Sequence, residues 1–143
     1  MRLVRVLAVD FGEKRIGLAV SDETGRVVVP VGAVARASDA QAAAEVASSA
    51  KERDATRIVV GLPRHLDGRE GLLARRARNF ARRLEAASGL PVDLHGEGLT
   101  SADAERDLRA AGLPRGRRDA ARDAEAAAVL LRDWFSAHAG DVA

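Results

Sequence analysis

Three acids, Asp10, Glu97 and Asp123, are the residues of this chain on which catalysis can be built. Asp10 closes the apolar run LVRVLAVD and is followed by Phe11 and Gly12, a glycine that permits close approach of the backbone to a ligand or metal. Taken alone, an acid that ends a strand is more often a turn former than a ligand. Glu97 stands between Gly96 and Gly98 in what reads as a loop from His95 to Thr100, where a structural glutamate has little to cap or pair with. Asp123 precedes the run AEAAAVLL, on a helix whose other side must face the core; first-turn stabilisation by the helix dipole, roughly 0.3–1 kcal/mol, is the plain alternative for it. Carboxylates gathered at one spot repel one another and are driven toward protonation unless divalent cations neutralise them. Oxygen-only ligands select hard ions, Mg²⁺ or Mn²⁺. A pair of such ions roughly 3.5–4 Å apart activates water for attack on phosphorus and stabilises the leaving oxygen, which is the chemistry of phosphodiester hydrolysis.

Elements far apart in sequence must bring these acids together. Residues 3–10 and 15–22 read as strands joined by the turn Phe11 to Lys14, and Val27 to Val31 as a third strand whose proline suits an edge. The pattern then alternates: a helix from Asp39 to Glu52 capped by Ser38 or Asp39, and a buried strand over 57–61. A helix follows over 69–87, with its apolar stripe at Leu73, Ala77, Phe80, Leu84 and Ala87, ended by Gly89. A short strand over 90–94 and helices over 102–111 and 119–137 complete the chain, the last two joined by an arginine-rich linker over 114–118. The expected fold is therefore α/β: a five-stranded mixed sheet, a three-stranded antiparallel meander then α-β-α-β-α, with helices on both faces. Right-handed connections place the first strand at the centre beside the strand at 57–61, with Asp10 at its end. The reading is of one domain over residues 1–143, with a short polar tail after about 139.

Composition excludes several classes. The 143 residues contain no cysteine, so disulfide frameworks, thiolate zinc sites and cysteine nucleophiles are out. The first apolar run is far shorter than the roughly 20 residues that span a bilayer, which points to no membrane and a cytoplasmic location. The formal net charge is only +2, but the arginines cluster. Arg75, Arg78 and Arg82 lie opposite the apolar stripe of their helix, and Arg115, Arg117, Arg118 and Arg122 lie around the start of the last one. Guanidinium groups suit phosphate backbones, so both clusters, with Lys14 and Arg15 just after Asp10, are candidate nucleic-acid contacts. Solvated surface charge accounts for them equally well. Trp134 and Phe135 read as core, and Thr100 and Ser101 as caps of the helix that follows.

The run from Leu7 to Asp22, LAVDFGEKRIGLAVSD, resembles the opening signature of the YqgF/RuvX family, the Holliday-junction resolvase-like pre-16S rRNA nucleases with a ribonuclease H-like fold. Val60-Gly61-Leu62-Pro63 with Asp67, Gly68 and Gly71 resembles that family's second motif, Glu97 with Leu99-Thr100-Ser101 its third, and Asp123-Ala124 with Ala126-Ala127 its fourth. The resemblance spans nearly the whole chain in order. It implies that Asp10, Glu97 and Asp123 are the catalytic, metal-binding acids. The chain departs from the pattern at Gly96 and Gly98, where the family carries an acid and an arginine, and at His65, where asparagine is common.

The expected function is that of a metal-dependent endonuclease acting on structured nucleic acid, with precursor 16S ribosomal RNA as substrate and two Mg²⁺ or Mn²⁺ ions as cofactor. Resolution of branched DNA is the alternative: symmetric cutting needs two active sites, so a homodimer favours a junction resolvase and a monomer favours RNA processing. A noncatalytic RNA-binding module is a third reading. An ATPase of the actin and sugar-kinase type also opens with such a hairpin, but it needs two such domains to enclose the nucleotide.

Overall fold

The computed structural model describes residues 4–63, 71–97 and 115–138. Its elements are β1 (Val6–Phe11), β2 (Arg15–Ser21), β3 (Val28–Ala35), α1 (Asp39–Glu52), β4 (Arg57–Pro63), α2 (Leu72–Ser88), β5 (Val92–Glu97) and α3 (Arg115–Ala137). The strands form one mixed sheet in the order β3-β2-β1-β4-β5. β1 pairs antiparallel with β2 and parallel with β4, so it is central as expected.

Alternation along β1 divides its side chains between two cores. Leu7, Val9 and Phe11 face α1 and α2 with Ile16, Leu18, Ile58, Val60 and Phe80, while Val6 and Ala8 face α3 with Ala19, Val59, Leu131 and Trp134. Both faces are covered, which is why Val6, Leu7, Ala8 and Val9 are all fully buried. On the α3 face Ala8, Ala19 and Gly17 are small, and at Gly17 the helix approaches the sheet closely. Among the described residues no helix is long and apolar enough to cross a membrane.

α1 spans the expected residues, and its cap is Ser38, whose hydroxyl accepts the Gln41 amide at 3.1 Å. Gly89 ends α2 in the left-handed conformation at φ 71°. Most other ends differ from expectation by one to three residues, α2 for example covering 72–88 and β4 reaching Pro63, and three differences have a clear cause. β3 runs on past Pro30 to Ala35, because on this edge strand the proline sits beside a register shift between Leu18 and Ala19 and the ladder resumes at Gly32. β5 begins later and continues through Glu97: the parallel ladder to β4 pairs Leu62 with Gly96 and Pro63 with Glu97, so the backbone is strand where the glycines suggested loop. The supposed linker over 114–118 is replaced from Arg115 onward by the first turn of α3. Arginine is a good helix former, and one glycine at about 1 kcal/mol is tolerated in a packed 23-residue helix. The expected helix over 102–111, His65, Thr100, Ser101 and the tail after 139 lie outside the described residues.

Candidate active site

Asp10 is the next-to-last residue of β1, on the face that α3 covers, and it is half-buried. Its lateral neighbours are both glycines, Gly17 on β2 and Gly61 on β4, and the row continues to His95 on β5. No side chain therefore stands directly opposite Asp10 on either neighbouring strand. A Cβ at Gly17 would lie 1.9 Å from the carbonyl oxygen of Asp123, so the α3 backbone rests directly on that glycine. This contact brings Asp123 to the face and the row of Asp10. Asp123 is nine residues into α3, beyond the first turn where the helix dipole acts, so the dipole does not account for an acid here.

The β2 stripe facing α3 is Arg15, Gly17, Ala19 and Ser21, which puts Arg15 beside Asp123 as well. Arg15 Nε donates to Asp123 Oδ2 at 2.7 Å, with side-chain exposures of 32% and 17%. Arg122 Nε stands 4.0 Å from the other oxygen, Oδ1. The carboxylate thus meets positive charge on both sides. The turn before Arg15 is tight: a Cβ at Gly12 would lie 2.5 Å from the Arg15 carbonyl oxygen.

Arg36, which no spacing rule singled out, braces that turn. Its guanidinium donates to the Glu13 carbonyl at 2.9 Å and to Asp39 Oδ1 at 2.8 Å, and stands 4.6 Å over the Phe11 ring. Its backbone N–H donates to the Lys14 carbonyl at 2.9 Å. The only hint in the sequence was an arginine just ahead of a helix cap, and its partners on the turn lie more than 20 residues away.

The backbone of Glu97 ends β5, two positions beyond His95, and its side chain lies outside the described residues. Among the described side chains no group of three acids or histidines meets. His95 Nε2 lies 2.6 Å from Asp133 Oδ2, which ties β5 to α3 close to the row of Asp10. Of the cationic candidates, Lys14 is exposed on the turn after Asp10, and Arg15 and Arg122 adjoin Asp123. Arg115, Arg117 and Arg118 occupy the start of α3, their side chains outside the described residues. Arg75, Arg78 and Arg82 are not brought to the acids: α2 lies on the other layer, where Arg78 and Arg82 line a groove of about 130 Å³ with Glu85, Val92 and Leu94. Trp134 is core, as expected.

A family model described as RuvX, Holliday junction resolvase, matches residues 4–137. A protein of Anaeromyxobacter dehalogenans strain 2CP-1 is 49% identical over 136 residues, covering 95% of this chain and 99% of its own. One from Syntrophus aciditrophicus is 40% identical over 134 residues, covering 94% and 89%. Both carry the name "Putative pre-16S rRNA nuclease". Thermus thermophilus RuvC, solved with a Holliday junction substrate, superposes with a TM-score of 0.58 at 18% identity over 96% of each chain. The fowlpox virus resolvase superposes at 0.52 and 10% identity, over 92% of this chain and 98% of its own. The shared architecture is the ribonuclease H-like fold, and with a match over nearly its whole length the chain belongs to the RuvX family.

Proposed function

We propose that this chain is a cytoplasmic, metal-dependent endonuclease that hydrolyses phosphodiester bonds in structured nucleic acid, with precursor 16S ribosomal RNA as its substrate. The observation that supports this reading is the contact of the Asp123 backbone with Gly17, the strand partner of Asp10, in a member of the RuvX family. The donor set fits hard divalent cations: the acids offer oxygen alone, Asp10 is flanked by glycines, and the Asp123 carboxylate already draws a cationic partner. Asp10, Glu97 and Asp123 would hold the ions. Bound there, a pair of Mg²⁺ or Mn²⁺ ions would supply an activated water and charge stabilisation for the leaving oxygen. Lys14 and Arg15 then bind phosphates next to the scissile bond, and Arg122 with Arg115, Arg117 and Arg118 continues the backbone contact along α3. Arg75, Arg78 and Arg82 form a separate contact surface on the α2 layer. The whole of residues 1–143 works as one domain.

A second reading, resolution of four-way DNA junctions by a homodimer, is favoured by the description of the matching family. The test is cleavage of a labelled precursor rRNA fragment and a labelled four-way junction under Mg²⁺ and Mn²⁺, with the molecular mass measured in solution. Preferential cutting of the RNA supports the first reading. Symmetric cutting of the junction by a dimer replaces it with the second. Salt-sensitive binding with no cutting under either ion leaves only an RNA-binding module.

A further inference from the structure

The contact between Arg15 and Asp123 joins two groups that the proposed reaction needs for different partners. Asp123 has to face a divalent ion, and Arg15, at the mouth of the site on the first residue of β2, has to face a phosphate. In the structure they are spent on each other, through Nε and Oδ2 at 2.7 Å. The pair is partly screened from water, with the carboxylate the more buried partner. Arg122 stands 4.0 Å from Oδ1, so neither oxygen of Asp123 is open to a cation without meeting a guanidinium. Positive charge already in place opposes a second positive charge at the same carboxylate.

We propose that Arg15 is an internal counter-cation that competes with the divalent ion for Asp123, and that its release on ion entry makes the guanidinium available to the phosphate backbone. The inference rests on the reading of Asp123 as an ion-binding acid and adds a coupling to it. Ion and nucleic acid each favour the state in which the pair is broken. By linkage, each therefore raises the affinity for the other by the same factor. An empty site holds Arg15 on Asp123 and binds backbone less tightly, so ion and nucleic acid are expected to load together.

An opposing account gives Arg15 a supporting role, in which it orients Asp123 and strengthens its hold on the ion, as hydrogen-bond partners of metal ligands commonly do. The two accounts differ in sign. With Ca²⁺ as the probe ion, titration calorimetry of the full chain at fixed ionic strength compares wild type, Arg15→Gln, Lys14→Gln, Asp10→Asn and Asp123→Asn. Competition by a partly exposed pair is expected to make Arg15→Gln bind Ca²⁺ about three- to tenfold more tightly. Lys14→Gln removes an equal charge one residue away, from an exposed side chain on the turn, and is expected to change the affinity less than about twofold. Arg15→Lys, which keeps the charge but lacks the planar fork, should fall between wild type and Arg15→Gln, and guards against a folding defect in the latter. In fluorescence anisotropy with a labelled four-way junction, Ca²⁺ should improve wild-type affinity by more than it improves that of Arg15→Gln.

Ion binding that is weaker or unchanged in Arg15→Gln, absent from both proteins, or tightened equally by Lys14→Gln overturns the proposal. If Asp123→Asn abolishes ion binding in that same series, the site reading survives without the coupling. If Asp10→Asn and Asp123→Asn both bind Ca²⁺ as wild type does, the site reading fails, and the coupling with it.

Discussion

Replacing Gly17 with alanine puts a Cβ 1.9 Å from the carbonyl oxygen of Asp123, 2.3 Å from its carbonyl carbon and 3.0 Å from its Cβ. The obstructing atoms are helix backbone, so no rotamer change relieves the clash. α3 has to retreat from β2 by about 1 Å or more before the closest contact becomes tolerable, and Asp123 retreats with it. Overpacking of this kind costs about 1–3 kcal/mol, which for a chain of this size lowers Tm by roughly 3–10 °C. A displacement of about 1 Å at a catalytic carboxylate lowers turnover by on the order of 100-fold. Urea denaturation and thermal melting give the first number, and cleavage of a labelled substrate at a temperature where both proteins are folded gives the second. Gly89→Ala is the control: Gly89 has φ 71° with no atom within 4 Å of the added Cβ, so alanine there costs about 1 kcal/mol in backbone strain while cleavage stays unchanged. If Gly17→Ala is as stable and as active as wild type, α3 does not rest on Gly17 and the argument that joins Asp123 to Asp10 falls.

Arg36→Ala removes a charged hydrogen bond to the turn, the ion pair with Asp39 and the contact over Phe11; a loss of about 2–3 kcal/mol in urea denaturation is expected, with cleavage reduced because Lys14 and Arg15 lose their support. His95→Ala cuts the tie between β5 and α3, with an expected loss of about 1 kcal/mol by denaturation. Nucleic-acid affinity should fall steeply with salt, and Lys14→Gln should reduce the slope of log affinity against log salt by about one, as read by anisotropy across a salt series.

Much of the fold was legible because local and global signals agreed. The unbroken apolar run of β1 requires burial on both faces, and the structure places it at the centre of the sheet. Ser38 and Gly89 marked their helix ends through capping chemistry that depends on neighbouring residues alone. Leu73, Ala77, Phe80 and Leu84 carried a helical period that survives in the packed α2, whereas Ala87, the last position of the expected stripe, is exposed. The errors arose where tertiary pairing overrides local preference. His95-Gly96-Glu97 is strand because β4 supplies the ladder, and Gly116 sits within a helix that the sheet stabilises along much of its length. At the site, sequence order suggested which acids could converge, but the pair of Arg15 and Asp123 joins residues 108 positions apart and exists only once α3 docks on β2. Arg36 was unreadable for the same reason. Its role is set by where β3 ends relative to the turn after Asp10.

Cleavage of labelled precursor rRNA and four-way junction by wild type and Asp10→Asn, with and without Mg²⁺ or Mn²⁺, tests the central claim most directly. The account predicts cutting by wild type that requires the ion and falls by at least about 100-fold in a folded Asp10→Asn. Cutting that persists in Asp10→Asn, or that proceeds equally well in a chelator, would contradict it.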